Sequence, residues 1–261
     1  MKPEVLLVDA GGTLCWPPLD RMDAILAELK GRPIGIEAQY CAFSRGSHAL
    51  DDYMREHHGG YPTHDSFSLN HWVYEEGIAR EGFAGLWTRE CTEELFRRDR
   101  RLGKWDYTFP WVRDALDRLK ASGIRLGLVS NSDGLVKQLL TSLGYAGYFE
   151  TIVDSYVEQV YKPEPQIFYL ALERMGLIKL ADAAYRAAEG SARVSAGETN
   201  GGQGRPPSPV MYVGDNWRSD YEGATRAGLD IRLIDPLGLF ASWTDKRVRD
   251  IAALADELCG G

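Results

Sequence analysis

Cysteine is scarce: four residues in 261, at Cys15, Cys41, Cys91 and Cys259, with no CxxC and no paired spacing. That excludes a disulfide-built fold and a structural zinc site, and it points to a reducing, cytoplasmic setting. Long apolar runs are missing too, and no stretch approaches the ~20 residues of a membrane span. The first residues, Met1-Lys2-Pro3-Glu4-Val5, enter a strand pattern directly, without the apolar core and small-residue cleavage site of a signal peptide. Positive charge is in deficit, with 30 Lys and Arg against 38 Asp and Glu and a formal net charge of −8. The one basic run, Arg97, Arg98, Arg100 and Arg101, is interrupted by Asp99 and reads as a solvated helix end. Nucleic-acid binding, which needs a concentrated basic surface, is therefore not expected, and neither is a membrane partner.

What is present suffices for a large core, since 44% of residues are hydrophobic and 26% charged. Val5–Val8 is a continuous apolar run too short for a helix, as expected of a strand buried on both faces. Similar runs recur at Ile124–Val129, Thr151–Val153, Val210–Val213 and Ile231–Ile234. Helical patterns separate them, at Pro110–Lys120, Leu135–Leu143 and along Ile167, Leu170, Ala171 and Met175, each closed by a glycine signal. Strands alternating with helices predict an α/β fold with a doubly wound, Rossmann-like parallel sheet.

Residues 16–106 break that rhythm. Their apolar positions, such as Ile25, Leu26 and Leu29, or Phe83, Leu86, Trp87, Cys91 and Leu95, follow helical spacing. The expected organisation is a discontinuous core of residues 1–15 and 107–261 with an α-helical insertion at 16–106. Hinges are expected near Trp16–Pro18 and Gly103–Tyr107. Residues 186–209, rich in Gly, Ala, Ser, Arg and Pro, read as a surface loop inserted in the core.

Four clusters of chemically capable residues fall just past strand ends, where loops of a parallel sheet converge in one crevice. Asp9-Ala10-Gly11-Gly12-Thr13 puts a carboxylate on a tight turn, as a nucleophile or metal ligand. Ser130-Asn131-Ser132 offers hydroxyls, an amide and backbone N–H groups to an anion. Lys162-Pro163-Glu164-Pro165 fixes a lysine before a helix, where it would neutralise an anionic transition state. Gly214-Asp215-Asn216-Trp217-Arg218-Ser219-Asp220 presents two carboxylates that would face one hard cation.

In this order and spacing, the four clusters resemble the haloacid dehalogenase-like hydrolase superfamily, over Val5–Thr13 and about 109–234. The helical insertion looks like the α-helical cap of its phosphatase-like members. The resemblance implies that Asp9 attacks phosphorus and forms an aspartyl-phosphate. It implies that Ser130 and the backbone at Asn131 hold phosphoryl oxygens, and that Lys162 pairs with Asp9 and the phosphoryl charge. It further implies Mg²⁺ held by Asp9, the carbonyl of Gly11 and Asp215, with Asp220 nearby, and a small phosphorylated metabolite as substrate.

One position departs from the pattern. Phosphatases of the superfamily usually carry a second aspartate two residues after the first, where this chain has Gly11. That group protonates the leaving oxygen and later activates water, help typically worth about 10²–10⁴ in rate. Its loss should slow hydrolysis of alkyl phosphates more than that of activated ones. A histidine of the insertion (His48, His57, His58, His64 or His71) is a candidate substitute. The residues leave three alternatives open. One is a dehalogenase, against which Asp215 and Asp220 argue. Another is a phosphonate hydrolase, which would need a cap lysine from only Lys30 or Lys104. The third is a catalytically weak binding or regulatory protein on the same scaffold.

Overall fold

The computed structural model describes residues 2–98, 105–178 and 209–260. The expected loop at 186–209 lies outside these residues except for Pro209. In chain order the elements are β1 (Val5–Val8), α1 (Leu19–Lys30), α2 (Ile36–Glu56), α3 (Ser66–Ile78), α4 (Arg89–Arg98), α5 (Pro110–Ala121), β2 (Arg125–Ser130), α6 (Val136–Ser142), β3 (Thr151–Asp154), α7 (Ser155–Glu158), α8 (Pro165–Arg174), β4 (Val210–Gly214), α9 (Gly223–Arg226), β5 (Asp230–Ile234), β6 (Arg247–Val248) and α10 (Ile251–Cys259). The chain divides into two compact units, one of residues 1–14, 109–234 and 250–261, the other of residues 15–108 and 235–249.

The first unit is the α/β core. Its strands run in the order β3-β2-β1-β4-β5, and each neighbouring pair is parallel. The strand order turns back beside β1, which pairs with β2 on one side and β4 on the other. A crevice opens at the carboxyl ends of strands at such a point. Side chains alternate between faces with period two. Val5, Leu7, Val129, Val153, Val210, Tyr212 and Ile231 point to one face and pack with Ile167, Phe168, Ala171 and Leu172 of α8 and Ala224 of α9. The alternate residues Leu6, Leu126, Leu128, Met211 and Val213 are buried on the other face. The apolar sides of α5 and α10 pack against each other. Both faces of the inner strands are thus apolar, which is why they read as unbroken hydrophobic runs.

The second unit is helical. Its centre is the crossing of α2 and α3, made by two glycines. A Cβ on Gly46 would stand 2.1 Å from the Val73 carbonyl oxygen, and one on Gly77 would stand 2.0 Å from that of Ala42. Helix backbones touch only where no side chain intervenes. Tyr74 and Trp87 form an edge contact at 5.7 Å, and the Trp87 indole donates to the Thr92 hydroxyl at 2.8 Å. The segments that enter and leave the helices pair with each other: Trp16 and Tyr107 exchange backbone hydrogen bonds of 2.8 and 3.3 Å. Both belong to the expected hinges, although residues 103 and 104 lie outside the described set.

The sequence reading runs the core without interruption from 107 to the C-terminus, whereas 235–249 groups with the helices. Asp235 organises this segment by accepting from the Leu239 and Phe240 amides at 2.7 and 3.0 Å and from Arg247 at 2.9 Å. His48 of α2 then lies against Phe240 and Trp243, with ring centroids 4.6 and 5.4 Å away. Arg55 lies over the Trp243 ring at 4.0 Å. No helix among the described residues is long and apolar enough to cross a membrane.

Candidate active site

All the carboxylates and the lysine singled out in the sequence gather at the carboxyl ends of β1 and β4. Asp9 follows β1 directly, and its amide donates to the Val213 carbonyl at 2.9 Å. Odd numbering continues the row of Val5 and Leu7, so Asp9 stands on the face that α8 covers. Lys162 lies three residues before the start of α8 and reaches the same point. Its Nζ donates to Asp9 Oδ1 at 2.7 Å and to Asp220 Oδ1 at 2.6 Å. Asp9, Asp215 and Asp220 each place one oxygen within 4.8 Å of the others, the only such acidic group among the described residues.

Two glycines make this approach possible. Gly12 has a φ of +68°, and a Cβ there would lie 1.9 Å from Asp215 Oδ2. A Cβ on Gly214 would lie 2.4 Å from the Asp220 Cγ. Asp220 sits in the turn Trp217–Glu222, which Asn216 caps by accepting from the Ser219 amide at 2.8 Å. The second Asp220 oxygen accepts from the Asn216 amide at 2.9 Å.

The electrostatics follow from burial. Asp9 is 6% exposed and Lys162 5%. Burial raises the Asp9 carboxyl to about 6; Lys162 pulls it down and Asp220 pushes it up again. Burial disfavours the Lys162 charge, but Asp220 and then Asp9 outweigh it and hold the ammonium above its ordinary value. Three carboxylates converge where one ammonium bonds two of them. An all-oxygen, acid-rich set of this kind fits a hard divalent cation. Asp9 and Asp215 are the side chains that would hold it, with Asp220 beside them.

Ser130 ends β2 and is buried. The Asn131 side chain has a task that the sequence reading did not foresee. Its amide accepts from the Lys162 N–H at 2.8 Å and donates to the Lys162 carbonyl at 3.0 Å, so it clamps the lysine's backbone. Asp154 and Ser155, at the end of β3, were also missed. Asp154 accepts from the Gly134, Val136 and Tyr156 amides, and Ser155 accepts from the Ser132 amide at 3.1 Å. Together they shape the loop after Ser130. Tyr212 of β4 is the third omission. Its hydroxyl donates to Asp220 Oδ1 at 2.8 Å and accepts from Lys162 Nζ at 3.0 Å. Burial and then Asp220 push this phenol well above its ordinary value, so it stays protonated. The sequence carried no local signal for it beyond a tyrosine within the apolar run Val210–Val213.

Three of the five candidate histidines have partners within the helical unit. His71 bonds Thr92, His57 bonds the Tyr53 carbonyl and stacks on its ring, and His48 pairs with Asp52 at 3.2 Å.

Among curated proteins, the chain is 37% identical over 108 residues to a phosphoglycolate phosphatase of Yersinia pseudotuberculosis. That match covers 41% of this chain and 44% of the relative, so the chain spans less than half the length of the curated relative it matches. Among solved structures, it is similar to a HAD phosphatase from Thermococcus onnurineus, with TM-score 0.51, 20% identity and coverage of 100% and 99% of the two chains. It is also similar to an L-2-haloacid dehalogenase from Xanthobacter autotrophicus, with TM-score 0.53, 15% identity and coverage of 99% of each. At these identities the structural likeness establishes the shared fold. A family model described as haloacid dehalogenase-like hydrolase matches residues 3–228. By that match, and by the fold that carries it, the chain belongs to the haloacid dehalogenase-like hydrolases.

Proposed function

We propose that the protein is a Mg²⁺-dependent phosphohydrolase that acts on a small phosphorylated metabolite through an aspartyl-phosphate on Asp9. The observation that carries this reading is the buried Asp9 carboxylate, bonded to Lys162 and set within the acidic group of Asp215 and Asp220. A phosphate dianion repels an anionic nucleophile, and Lys162 offsets part of that repulsion. Mg²⁺, held by Asp9 and Asp215 with Asp220 nearby and the Gly11 carbonyl, would neutralise phosphoryl charge. An Asp9 oxygen attacks phosphorus in line, the bond to the leaving oxygen breaks, and the organic group departs with the electron pair. Ser130 and the backbone at Asn131 hold phosphoryl oxygens. Water then attacks phosphorus, releases inorganic phosphate and returns the Asp9 carboxylate. The helical unit acts as the cap that selects the substrate.

Gly11 provides no proton donor, so the scheme favours leaving groups that depart as stable anions, such as carboxylates and phenolates. Phosphoglycolate, the substrate named for the Yersinia relative, is a small phosphorylated metabolite but an alkyl phosphate, whose leaving oxygen needs a proton that Gly11 does not supply. The retained Asp215 and Asp220 favour phosphoryl over haloacid chemistry. Gly11 itself favours a second reading, a binding protein that keeps the scaffold without turnover. Phosphate release from acetyl phosphate and p-nitrophenyl phosphate separates the two. The enzyme reading expects release that needs Mg²⁺ and disappears in Asp9→Asn. Equal release from the native and Asp9→Asn proteins would favour the binding protein.

A further inference from the structure

We propose that the Tyr212 hydroxyl is a positioning group, which takes the third N–H of the Lys162 ammonium and so fixes the rotation that aims another at Asp9. The inference rests on the reading of Asp9 as nucleophile given above. A lysine ammonium has three N–H groups and no acceptor. Nζ of Lys162 has three oxygen partners, at 2.7 Å (Asp9), 2.6 Å (Asp220) and 3.0 Å (Tyr212). At 5% exposure the lysine has little water to serve as a substitute partner. A buried donor left unmatched costs free energy, so the third acceptor decides whether this orientation is the stable one.

The phenol is built for this task. It has a single proton, and the Asp220 oxygen at 2.8 Å is a nearer acceptor than the Val129 carbonyl at 3.3 Å. The proton therefore goes to Asp220, and the oxygen's lone pair is left to face Nζ. Asp220 is gripped on both sides, by Lys162 and Tyr212 at Oδ1 and by the Asn216 amide at Oδ2. The Tyr212 backbone is held in register between Leu7 and Ile231, and its ring is fully buried. Phe168, on the helix that follows Lys162, packs edge-on against it at 5.0 Å. The hydroxyl acts on Asp9 only through Lys162.

Tyr212→Phe keeps the ring and removes the hydroxyl. With p-nitrophenyl phosphate, kcat should fall about tenfold, the loss expected for one hydrogen bond to a charged group, while KM stays within twofold. The melting temperature should fall by a few degrees, as one unmatched buried donor requires, and Tyr212→Leu, which also loses the Phe168 contact, should lower it further. A second readout requires no turnover. In protein labelled with ¹⁵N-lysine, the Lys162 ammonium should give a slowly exchanging signal, assigned by its loss in Lys162→Met. That signal should broaden or vanish in Tyr212→Phe. A kcat within twofold of native, or an ammonium signal unchanged by the substitution, would overturn the proposal. Absence of the signal in the native protein would overturn it even if the Phe variant failed to fold. A native protein that shows the signal but releases no phosphate would refute the proposed reaction and leave the ammonium assignment standing.

Discussion

Asp9 combines two conditions that oppose each other. Its burial favours the protonated acid, and its proposed task requires the carboxylate, which Lys162 helps to maintain. Gly11, two residues on, fixes what such a nucleophile would do without a neighbouring acid. Gly11→Asp should raise kcat/KM for an alkyl phosphate about 10²-fold and leave p-nitrophenyl phosphate within a few-fold, because nitrophenolate departs without a proton. Steady-state assays on the two substrates check this, and an equal change in both would contradict it. At this scale the gathering of the candidate residues was largely legible. Asp9, Lys162, Asp215 and Asp220 each follow or precede a recognisable element, and loop residues at strand ends converge whatever the details. The residues that hold them were not legible. A tyrosine in a strand is ordinary β-sheet composition, and nothing local reveals that Tyr212 will meet Lys162, 50 residues away. Asn131 reads equally well as an anion ligand or a clamp until its partner is known.

Among the elements, the inner strands were legible because burial on both faces leaves an unbroken apolar run, and the segments 5–8, 151–153, 210–213 and 231–234 emerge within a residue of their expected ends. The crossing of α2 and α3 was not, because glycine inside a helix looks like a weak point. Here Gly46 and Gly77 are the contact itself. Gly46→Ala or Gly77→Ala should destabilise the helical unit by about 1–3 kcal/mol through overpacking, read as a lower urea midpoint. An unchanged midpoint would contradict the close approach. The grouping of 235–249 with the helices was also hidden, since it depends on contacts such as His48 with Phe240 and Trp243. Burial holds the His48 imidazole below its ordinary 6.5, while Asp52 and Asp235 pull it up and Arg80 pushes it down. A group with a depressed folded pKa gives stability that is present above the unfolded value and lost as pH falls through the folded one. His48 therefore takes stability away as pH drops below about 6.5, while the raised Asp9 carboxyl adds stability over the same window in both proteins, so the native melting temperature should lose ground relative to His48→Gln as pH falls. Equal slopes in the two proteins would contradict this.

At the scale of the whole molecule, the division is between a sheet unit that carries the acidic cluster proposed to react and a helical unit that carries none of it. The α/β character followed from strand and helix alternation alone. The division at 234 and 250 did not, because it depends on tertiary contacts far apart in sequence. The account stands or falls on covalent chemistry at Asp9. The most direct measurement is to mix the protein with acetyl phosphate and Mg²⁺, quench it in acid within a turnover, and analyse its peptides by mass spectrometry. The account predicts a phosphoryl adduct on the peptide containing Asp9, absent after EDTA treatment and absent in Asp9→Asn. Phosphate release at the native rate by Asp9→Asn, or an adduct on another residue, would contradict it.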